Sequence, residues 1–424
     1  MTTSLDPYRD RYSTRIQGLR SSAMRDLMSV IARPEVISLA GGLPYMAAFP
    51  PDVLVELTTA VAEDACAEAL QYGPTEGLLE ARTSICRLLE AEDVPAVPEH
   101  VLVTTGGQQV LELMCRVFVD PDDVVIAEGP TYPGMVPTLM AHQADVRQID
   151  TDADGMRIDL LEDELARLDR EGRVPKLIYT IPSFHNPAGV TMSEDRRRRL
   201  VEIAAARNLV VLEDNPYGRL RFEGDALPTL AELDEGRGHV VYLGTFSKIL
   251  APGLRLGYAV APQAIVAKLN LAKQGIDLCS SPLSQMLAAR FVDGPRFAPF
   301  LATLIDLYRE RRDVMVAAIR DGFPPDAEMA VPAGGLFLWV RLPGVSTADL
   351  LPRALNRDVA FVPGEAAYVD GRGGDAMRLN FSAVTSDRIE EGVRRLSSAI
   401  AEQSALTRSL GPRPGSHTWP ASAS

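Results

Sequence analysis

The chain is poor in the residues that build metal sites and disulfide frameworks. Its 424 residues include only four cysteines and five histidines. None of the cysteines forms a CxxC pair, and they are scattered at Cys66, Cys86, Cys115 and Cys279. We therefore expect no metal site and no disulfide, and we expect free thiols in a reducing compartment.

Long apolar runs and an excess of positive charge are also missing. The first 20 residues are polar and lack the apolar core of a signal peptide, and no later run is long and apolar enough to span a bilayer. The 43 basic residues against 57 acidic ones give a net charge of −14, which disfavours nucleic acid and anionic membranes as partners. We expect a soluble cytoplasmic protein.

Seven apolar runs between about residues 100 and 260 predict one sheet. Most of them lack strict alternation, which is typical of strands covered on both faces, and helical segments separate them. The predicted strands are residues 101–104, 124–127, 145–149, 177–181, 209–212, 240–243 and 256–260. The prediction is an α/β fold with a doubly wound, seven-stranded sheet sandwiched by helices. Polar clusters follow several strands, where such sheets bind ligands.

The two ends of the chain predict other units. Residues 1–20 are predicted as an N-terminal arm, followed by a helix near 21–33. Beyond residue 296 we predict a smaller α+β domain with a long helix (296–322), strands near 336–342, 359–362 and 377–381, and a closing helix (386–406). The predicted division is a large domain at 51–295, a small domain at 21–50 and 296–406, and a disordered tail at 407–424, rich in Pro, Ser and Ala.

The segment 244–255 is the most informative part of the chain. Lys248 follows an apolar predicted strand, lies between hydroxyl residues that include Thr245 and Ser247, and precedes Arg255 by seven positions. A poorly solvated lysine can lose its proton and become a nucleophile, and hydroxyls with a guanidinium suit a phosphate dianion. This combination is what a pyridoxal phosphate Schiff base requires. An ordinary surface lysine is the alternative.

Four more polar residues at predicted strand ends fit that cofactor. Asp214 could hold the protonated pyridine nitrogen, or it could be a helix cap. Asn186 and Tyr217 could donate to the phenolate oxygen, although Asn186 before a proline is also a plain turn signal. Tyr132 could stack on the ring or pack in the core.

Two further positions could bind anions. Gly107 and Gln108 open a helix directly after a predicted strand, where backbone amides can take a phosphate. Arg378 lies among apolar residues and needs an anion, either a substrate carboxylate or a structural ion-pair partner. We interpret His185, beside Asn186, as a packing histidine rather than a base.

Taken together, these motifs resemble those of one family, the class I/II, fold-type I pyridoxal phosphate-dependent aminotransferases. Within it, the chain is most similar to the branch of the aminoadipate and kynurenine aminotransferases and the aminotransferase-like half of MocR regulators. The resemblance runs from about residue 20 to 406. Its marks are ISLAGGLP (37–44), LQYGPTEGLLEAR (70–82), TTGGQQ (104–109), EGPTYPG (128–134), PSFHNPAG (182–189), EDNPYG (213–218), TFSKILAPGLRLGY (245–258) and MRLNFS (377–382).

The resemblance implies a role for each matching residue. Lys248 binds the cofactor as a Schiff base and then moves the proton at the substrate α-carbon. Asp214 pairs with the pyridinium, Tyr132 stacks on the ring, and Asn186 and Tyr217 hold the phenolate oxygen. The phosphate ligands implied are Gly107, Gln108, Thr245, Ser247 and Arg255, together with Tyr72 from the neighbouring subunit of a homodimer. Arg378 binds the substrate carboxylate, and Gly42 lines the substrate pocket.

Two positions bear on the choice of substrate. Arg25 matches an arginine that meets the substrate side chain in aminoadipate-type relatives, although a solvated helix arginine is the alternative. Tyr45 stands where the family usually has asparagine, in a segment that borders the substrate pocket in relatives. We therefore expect Tyr45 to contact the substrate and to favour a different or bulkier side chain, as in a specialised biosynthetic pathway.

The function that this implies is amino transfer from an L-amino acid to a 2-oxo acid of the 2-oxoglutarate or pyruvate type, by a ping-pong mechanism. The same cofactor could instead support elimination, decarboxylation or cyclisation. A pyridoxal phosphate-binding regulator is a further alternative, but the family match begins within about twenty residues of Met1 and leaves no room for a preceding DNA-binding domain. A serine hydrolase built on Ser247 and Lys248 lacks a GxSxG elbow.

Overall fold

The computed structural model describes residues 6, 8–17 and 33–410. The helices of this part of the chain are α1 (Thr14–Gln17), α2 (Pro51–Leu70), α3 (Leu79–Glu90), α4 (Gly107–Phe118), α5 (Met135–Ala141), α6 (Ile158–Glu171), α7 (Glu194–Arg207), α8 (Leu230–Leu233), α9 (Gln263–Gln274), α10 (Pro282–Val292), α11 (Phe297–Gly322), α12 (Thr347–Leu355) and α13 (Ser386–Leu410).

The strands fall into three sheets. They are β1 (Ile37–Ser38), β2 (Val101–Thr104), β3 (Val124–Gly129), β4 (Asp145–Asp152), β5 (Gly155–Met156), β6 (Leu177–Thr180), β7 (Val211–Asp214), β8 (Val240–Thr245), β9 (Gly257–Val260), β10 (Glu328–Met329), β11 (Phe337–Arg341), β12 (Val359–Ala360), β13 (Val362–Pro363) and β14 (Ala376–Asn380). Among the described residues, no helix combines the length and the apolar character that crossing a bilayer requires.

The largest sheet has the strand order β2-β9-β8-β7-β6-β3-β4-β5. Strands β8, β7, β6, β3 and β4 pair in parallel, while β9 and β5 are antiparallel to their neighbours. The mostly parallel α/β sheet is therefore confirmed, but it has eight strands rather than seven. The unpredicted strand, β5, has only two residues, too few to give a pattern in the sequence.

Helices cover both faces of this sheet. On one face, Val125 and Leu177 pack in a core with Leu111 and Met114 of α4. On the other face, neighbouring strand residues such as Ile126 pack with residues of α6 and α7. Because successive strand residues point to opposite faces, a strand that is buried on both sides has no polar alternation. This explains the continuous apolar runs in the sequence.

The C-terminal part forms a smaller α+β unit. Strands β10, β11, β14 and β13 make an antiparallel sheet, and β1 pairs with β12 in parallel. The closing helix α13 runs to Leu410, so residues 407–410, which we predicted to begin a disordered tail, are helical. Nearly all of the helix predicted at 21–33 and the tail beyond residue 410 lie outside the described residues. The domain boundaries at 51 and 296 remain predictions.

Candidate active site

A cavity of about 330 Å³ lies where the carboxyl ends of the central parallel strands meet β11, β14 and residues 41–43. Its wall contains most of the predicted site residues, namely Gly42, Gly107, Gln108, Tyr132, Asn186, Asp214, Tyr217, Thr245, Ser247, Lys248, Arg255 and Arg378. These residues come from positions more than 330 apart in the chain, and the topology brings them to one place. This is the location at which open α/β sheets bind ligands.

Lys248 lies in the turn that follows β8, and it forms part of the cavity wall. The Nζ atom donates a hydrogen bond to the carbonyl oxygen of Gly42 at 2.7 Å. Burial, together with the charges of Arg378 and Arg255, lowers the pKa of Lys248 to about 8, although Asp214 acts in the opposite direction. A substantial fraction of this amine is therefore neutral, and hence nucleophilic, at mildly alkaline pH.

Asp214, the last residue of β7, is a buried carboxyl group with 6% of its surface exposed. The hydroxyl of Tyr179 donates to its Oδ2 atom at 2.7 Å. Burial raises the pKa of Asp214 to about 7, while the hydrogen bond from Tyr179 lowers it. A cationic ring N–H beside this carboxylate would offset the free-energy cost of burying its charge. The pyridinium nitrogen of pyridoxal phosphate fits this requirement.

Three polar side chains form a chain along the cavity. The amide nitrogen of Asn186 lies 3.3 Å from the hydroxyl of Tyr217, and Arg378 Nη1 donates to Asn186 Oδ1 at 2.9 Å. Arg378 Nη2 also donates to the carbonyl oxygen of Ala40 at 2.8 Å, and its guanidinium stacks on Phe337 at 4.3 Å from the ring centre. Burial lowers the pKa of Arg378 to about 10. An anion beside it would therefore be stabilising.

A cradle for a phosphate lies at the opposite side, where helix α4 begins. Gly106 has φ of +77°, a conformation that favours glycine, and a Cβ atom there would come within 2.5 Å of Arg255 Nη2, so the guanidinium lies directly against this turn. The hydroxyls of Thr245 and Ser247 lie 3.0 Å apart. Helix-start amides, two hydroxyls and a guanidinium together fit a phosphate dianion. The residues present thus fit both ends of pyridoxal phosphate.

Tyr45 packs against helix α11, and its predicted contact with the substrate remains a prediction. This residue is not part of the cavity wall, because its backbone N–H donates to the hydroxyl of Tyr308 at 2.9 Å and its ring stacks against Arg311 at 3.9 Å. The wall contains Leu43 instead, two residues earlier.

Three other predicted residues need comment. The side chain of Gln108 donates to the carbonyl oxygen of Gly134 and to the hydroxyl of Thr138, at 3.1 and 2.9 Å, so it anchors the loop after β3. Tyr72 lies outside the cavity wall and is 77% exposed, and its predicted reach into a neighbouring subunit remains a prediction. Arg25 lies outside the described residues.

Sequence reasoning missed Tyr179, Leu43 and Phe337. Tyr179 lies inside an apolar strand and looked like a core residue. Phe337 begins β11 and lines the cavity beside Arg378. Leu43 lies in the ISLAGGLP motif (37–44), in which only Gly42 was predicted to line the substrate pocket. An apolar or aromatic strand residue gives no local signal that its side chain borders a site, because that depends on packing between distant segments.

A family model described as "Aminotransferase class I and II" matches residues 34–396. The chain belongs to this family. It is 40% identical to aromatic-amino-acid aminotransferase 1 of Thermococcus litoralis over 398 residues, which cover 93% of this chain and 95% of that protein. The aminotransferase identity, the predicted fold type and the family resemblance are thereby confirmed.

Solved structures of aminotransferases share its fold. One is the kynurenine aminotransferase of Pyrococcus horikoshii in complex with PMP, with a TM-score of 0.90, 38% identity and coverage of 94% of this chain and 98% of that one. Another is an alpha-aminoadipate aminotransferase of Thermus thermophilus complexed with N-(5'-phosphopyridoxyl)-L-leucine, with a TM-score of 0.88, 35% identity and coverage of 94% and 99%. The protein is an aminotransferase that depends on pyridoxal phosphate.

Proposed function

We propose that this aminotransferase takes the amino group of an L-amino acid with an apolar or aromatic side chain and passes it to a 2-oxo acid by a ping-pong mechanism. The observation that carries the proposal is the convergence of Lys248, Asp214 and Arg378 on one cavity beside an apolar wall. The three side chains supply a nucleophilic amine, a buried carboxylate and an anion-binding guanidinium.

Each residue has a separate task. Pyridoxal phosphate, when bound, supplies a conjugated ring that accepts the electrons released at the substrate α-carbon. Asp214 holds the ring nitrogen in its protonated form, and Asn186 and Tyr217 donate to the phenolate oxygen. Arg378 binds the substrate carboxylate and thereby orients the Cα–H bond. The amine of Lys248 would take the proton from the α-carbon.

A second group of residues would bind the phosphate. The first-turn amides of α4, at Gly107 and Gln108, and the hydroxyls of Thr245 and Ser247 would share the phosphate oxygens with Arg255. These donors come from three segments around the phosphate, so they would hold the ring in position as well as balance the negative charge of the phosphate. Tyr132, in the loop after β3, would close the cavity over the ring by stacking.

Apolar surface beside Arg378 supports the choice of donor. A Cβ atom on Gly42 would lie 3.0 Å from the ring of Phe337, so these two residues are in close contact next to the guanidinium. Leu43, with 46% of its surface exposed, continues this wall. A side chain extending from a carboxylate held by Arg378 would meet these apolar groups. The acceptor that we propose is 2-oxoglutarate.

We also propose that the active unit is a cytoplasmic homodimer. Tyr72 is 77% exposed, and large apolar residues of α2, α3, α9 and α10 or the adjacent loops are exposed as well, namely Leu70, Leu79, Leu271, Leu278 and Leu283. Large exposed apolar side chains are found at many interfaces between subunits, so these residues are candidates for such an interface. In the dimer Tyr72 would reach the phosphate of the neighbouring site.

The test is a visible absorption spectrum of the cofactor-loaded protein with each member of an amino acid panel. We expect the band of the lysine-bound cofactor to bleach with leucine, phenylalanine, tyrosine and similar donors and to return with 2-oxoglutarate. Bleaching only by acidic donors would overturn the proposed donor class. Release of ammonia or carbon dioxide without return of the band would point to elimination or decarboxylation instead.

A further inference from the structure

The hydrogen bond from Tyr179 to Asp214 joins two neighbouring strands at the base of the cavity. Tyr179 of β6 pairs with Leu212 of β7, two residues before Asp214, so its side chain reaches along the strand to the carboxylate. Tyr179 is fully buried and Asp214 is 6% exposed. The bond, at 2.7 Å, is therefore shielded from water, where hydrogen bonds to charged groups have their largest effect.

In this hydrogen bond Tyr179 is the donor and Asp214 is the acceptor. Burial and the charge of Asp214 raise the pKa of Tyr179 well above its ordinary value, so the phenol stays protonated at any working pH and acts as the donor. The donor engages Oδ2 of Asp214. The second oxygen of the same carboxylate is then the one that can face a ring nitrogen in the cavity. Tyr179 itself is not part of the cavity wall.

Other charged and titratable groups also surround Asp214. His185 Nε2 lies 3.0 Å from Glu128 Oε2, and both side chains are 1% exposed. His185 and Glu128 have opposite effects on the pKa of Asp214, because His185 lowers it and Glu128 raises it. Lys248, across the cavity, also lowers the pKa of Asp214. Tyr132 and Tyr217 face the same carboxylate from the loops that follow β3 and β7. Among these groups, Tyr179 is the neutral donor that bonds the carboxylate directly.

We propose that Tyr179 is a positioning residue for the cofactor, whose hydroxyl holds the Asp214 carboxylate in the charge state and orientation that keep the pyridine nitrogen of pyridoxal phosphate protonated. The inference rests on the proposed role of Asp214 and deepens it. Without the hydroxyl, the buried carboxyl would more readily take up the proton itself, and the ring would lose its positive charge. The ring would then accept electrons from the substrate less well.

The experiment uses full-length protein loaded with pyridoxal phosphate that is labelled with nitrogen-15 in the ring. We expect the ring nitrogen of the unmodified protein to show the chemical shift of a pyridinium at pH 8. In Tyr179→Phe we expect its signal to move toward the unprotonated form and the dissociation constant of the cofactor to rise about tenfold, because a hydrogen bond to a charged group is lost.

A matched control is Tyr242→Phe. Tyr242 of the adjacent strand β8 is also buried and donates to a carboxylate, Glu92, at 2.8 Å, but it does not line the cavity. We expect this variant to lose similar stability with no change in the nitrogen signal. In an Asp214→Asn background, Tyr179→Phe should cause no further change in that signal, because the acceptor is already gone.

The outcomes separate this inference from the proposed function. An unprotonated ring nitrogen in the unmodified protein would overturn the role of Asp214 and the inference with it. A pyridinium signal that is the same in Tyr179→Phe, or equally altered in Tyr242→Phe, would overturn the inference alone. If Tyr179→Phe does not fold, 3-fluorotyrosine at position 179 gives the test: its more acidic phenol should tighten cofactor binding, and weaker or unchanged binding would contradict the proposal.

Discussion

The two sides of the cavity differ in the exposure of their residues and in the elements that carry those residues. On the cofactor side, Asp214, Asn186 and Tyr217 are each at most 6% exposed and follow strands of one sheet, with hydrogen bonds to named partners. On the substrate side, Phe337 is 1% exposed and begins β11 of a different sheet, whereas Leu43 is 46% exposed and lies in the connection after β1. The comparison indicates that the cofactor residues depend on one large sheet, while the substrate wall combines a second sheet with an exposed connection.

Removing the nucleophile gives the largest expected effect on the cofactor side. In Lys248→Ala we expect the rate of amino transfer to fall by at least about 10³-fold, because the group that moves the proton is lost. The measurement is the rate at which 2-oxoglutarate is converted to glutamate with an excess of donor, because the variant cannot form the lysine-bound band. Lys268→Ala, an exposed lysine of α9, is the control and should keep full activity.

At the boundary between the two sides, Arg378→Lys removes the planar fork that we assign to the substrate carboxylate. We expect kcat/KM for the donor to fall by roughly 10- to 100-fold, mostly through KM, because charge remains while bidentate geometry is lost. Steady-state kinetics measure this. Arg341→Lys, an exposed arginine of β11, is the matched control, and an equal loss there would contradict the assignment.

The pH dependence of cofactor uptake tests the electrostatics of the cofactor side. The pKa of Lys248 is lowered to about 8, so the neutral amine increases as the pH rises through 8. For cofactor-free protein we expect the rate of Schiff base formation to fall roughly tenfold per pH unit below that value, since only the neutral amine attacks. Stopped-flow absorbance measures it. A rate that is flat between pH 6 and 9 would be inconsistent with this account.

The buried carboxyl on the same side should reduce the stability of the cofactor-free protein. Asp214 has a pKa of about 7 when folded, above the usual carboxyl value. Between that usual value and pH 7 the folded protein binds more protons than the unfolded chain, so its stability falls as pH rises. We expect Asp214→Asn to raise the unfolding free energy by about 1 to 3 kcal/mol at pH 8, and by less at pH 5. Thermal unfolding of cofactor-free proteins at both pH values measures this.

The substrate side should respond with changes in preference rather than loss of chemistry. We expect Leu43→Ala to lower kcat/KM for bulky apolar donors by about 5- to 20-fold, because apolar contact is lost, with little change for alanine. Tyr45→Phe, outside the wall, should change both by less than about twofold. A larger effect from Tyr45→Phe than from Leu43→Ala would contradict this account of the substrate side and would support the predicted contact of Tyr45 with the substrate.

The same contrast explains what the sequence could predict. Lys248, Asp214 and Arg255 belong to contiguous motifs at strand ends, so local pattern and family resemblance together were sufficient to place them. The surroundings of Tyr45 could not be predicted, because its stacking on Arg311 depends on a helix more than 260 residues away. Tyr179 was overlooked for a similar reason, since its contact with Asp214 follows from the pairing of two strands rather than from its own neighbours.

The most direct test of the central claim is to identify the lysine that holds the cofactor. Borohydride reduction of the cofactor-loaded protein, followed by peptide mass analysis, would mark that residue permanently. The account predicts one modified peptide, containing Lys248. The other lysines of the chain are Lys176, Lys268 and Lys273, and label on any of them, or no label at all, would contradict it.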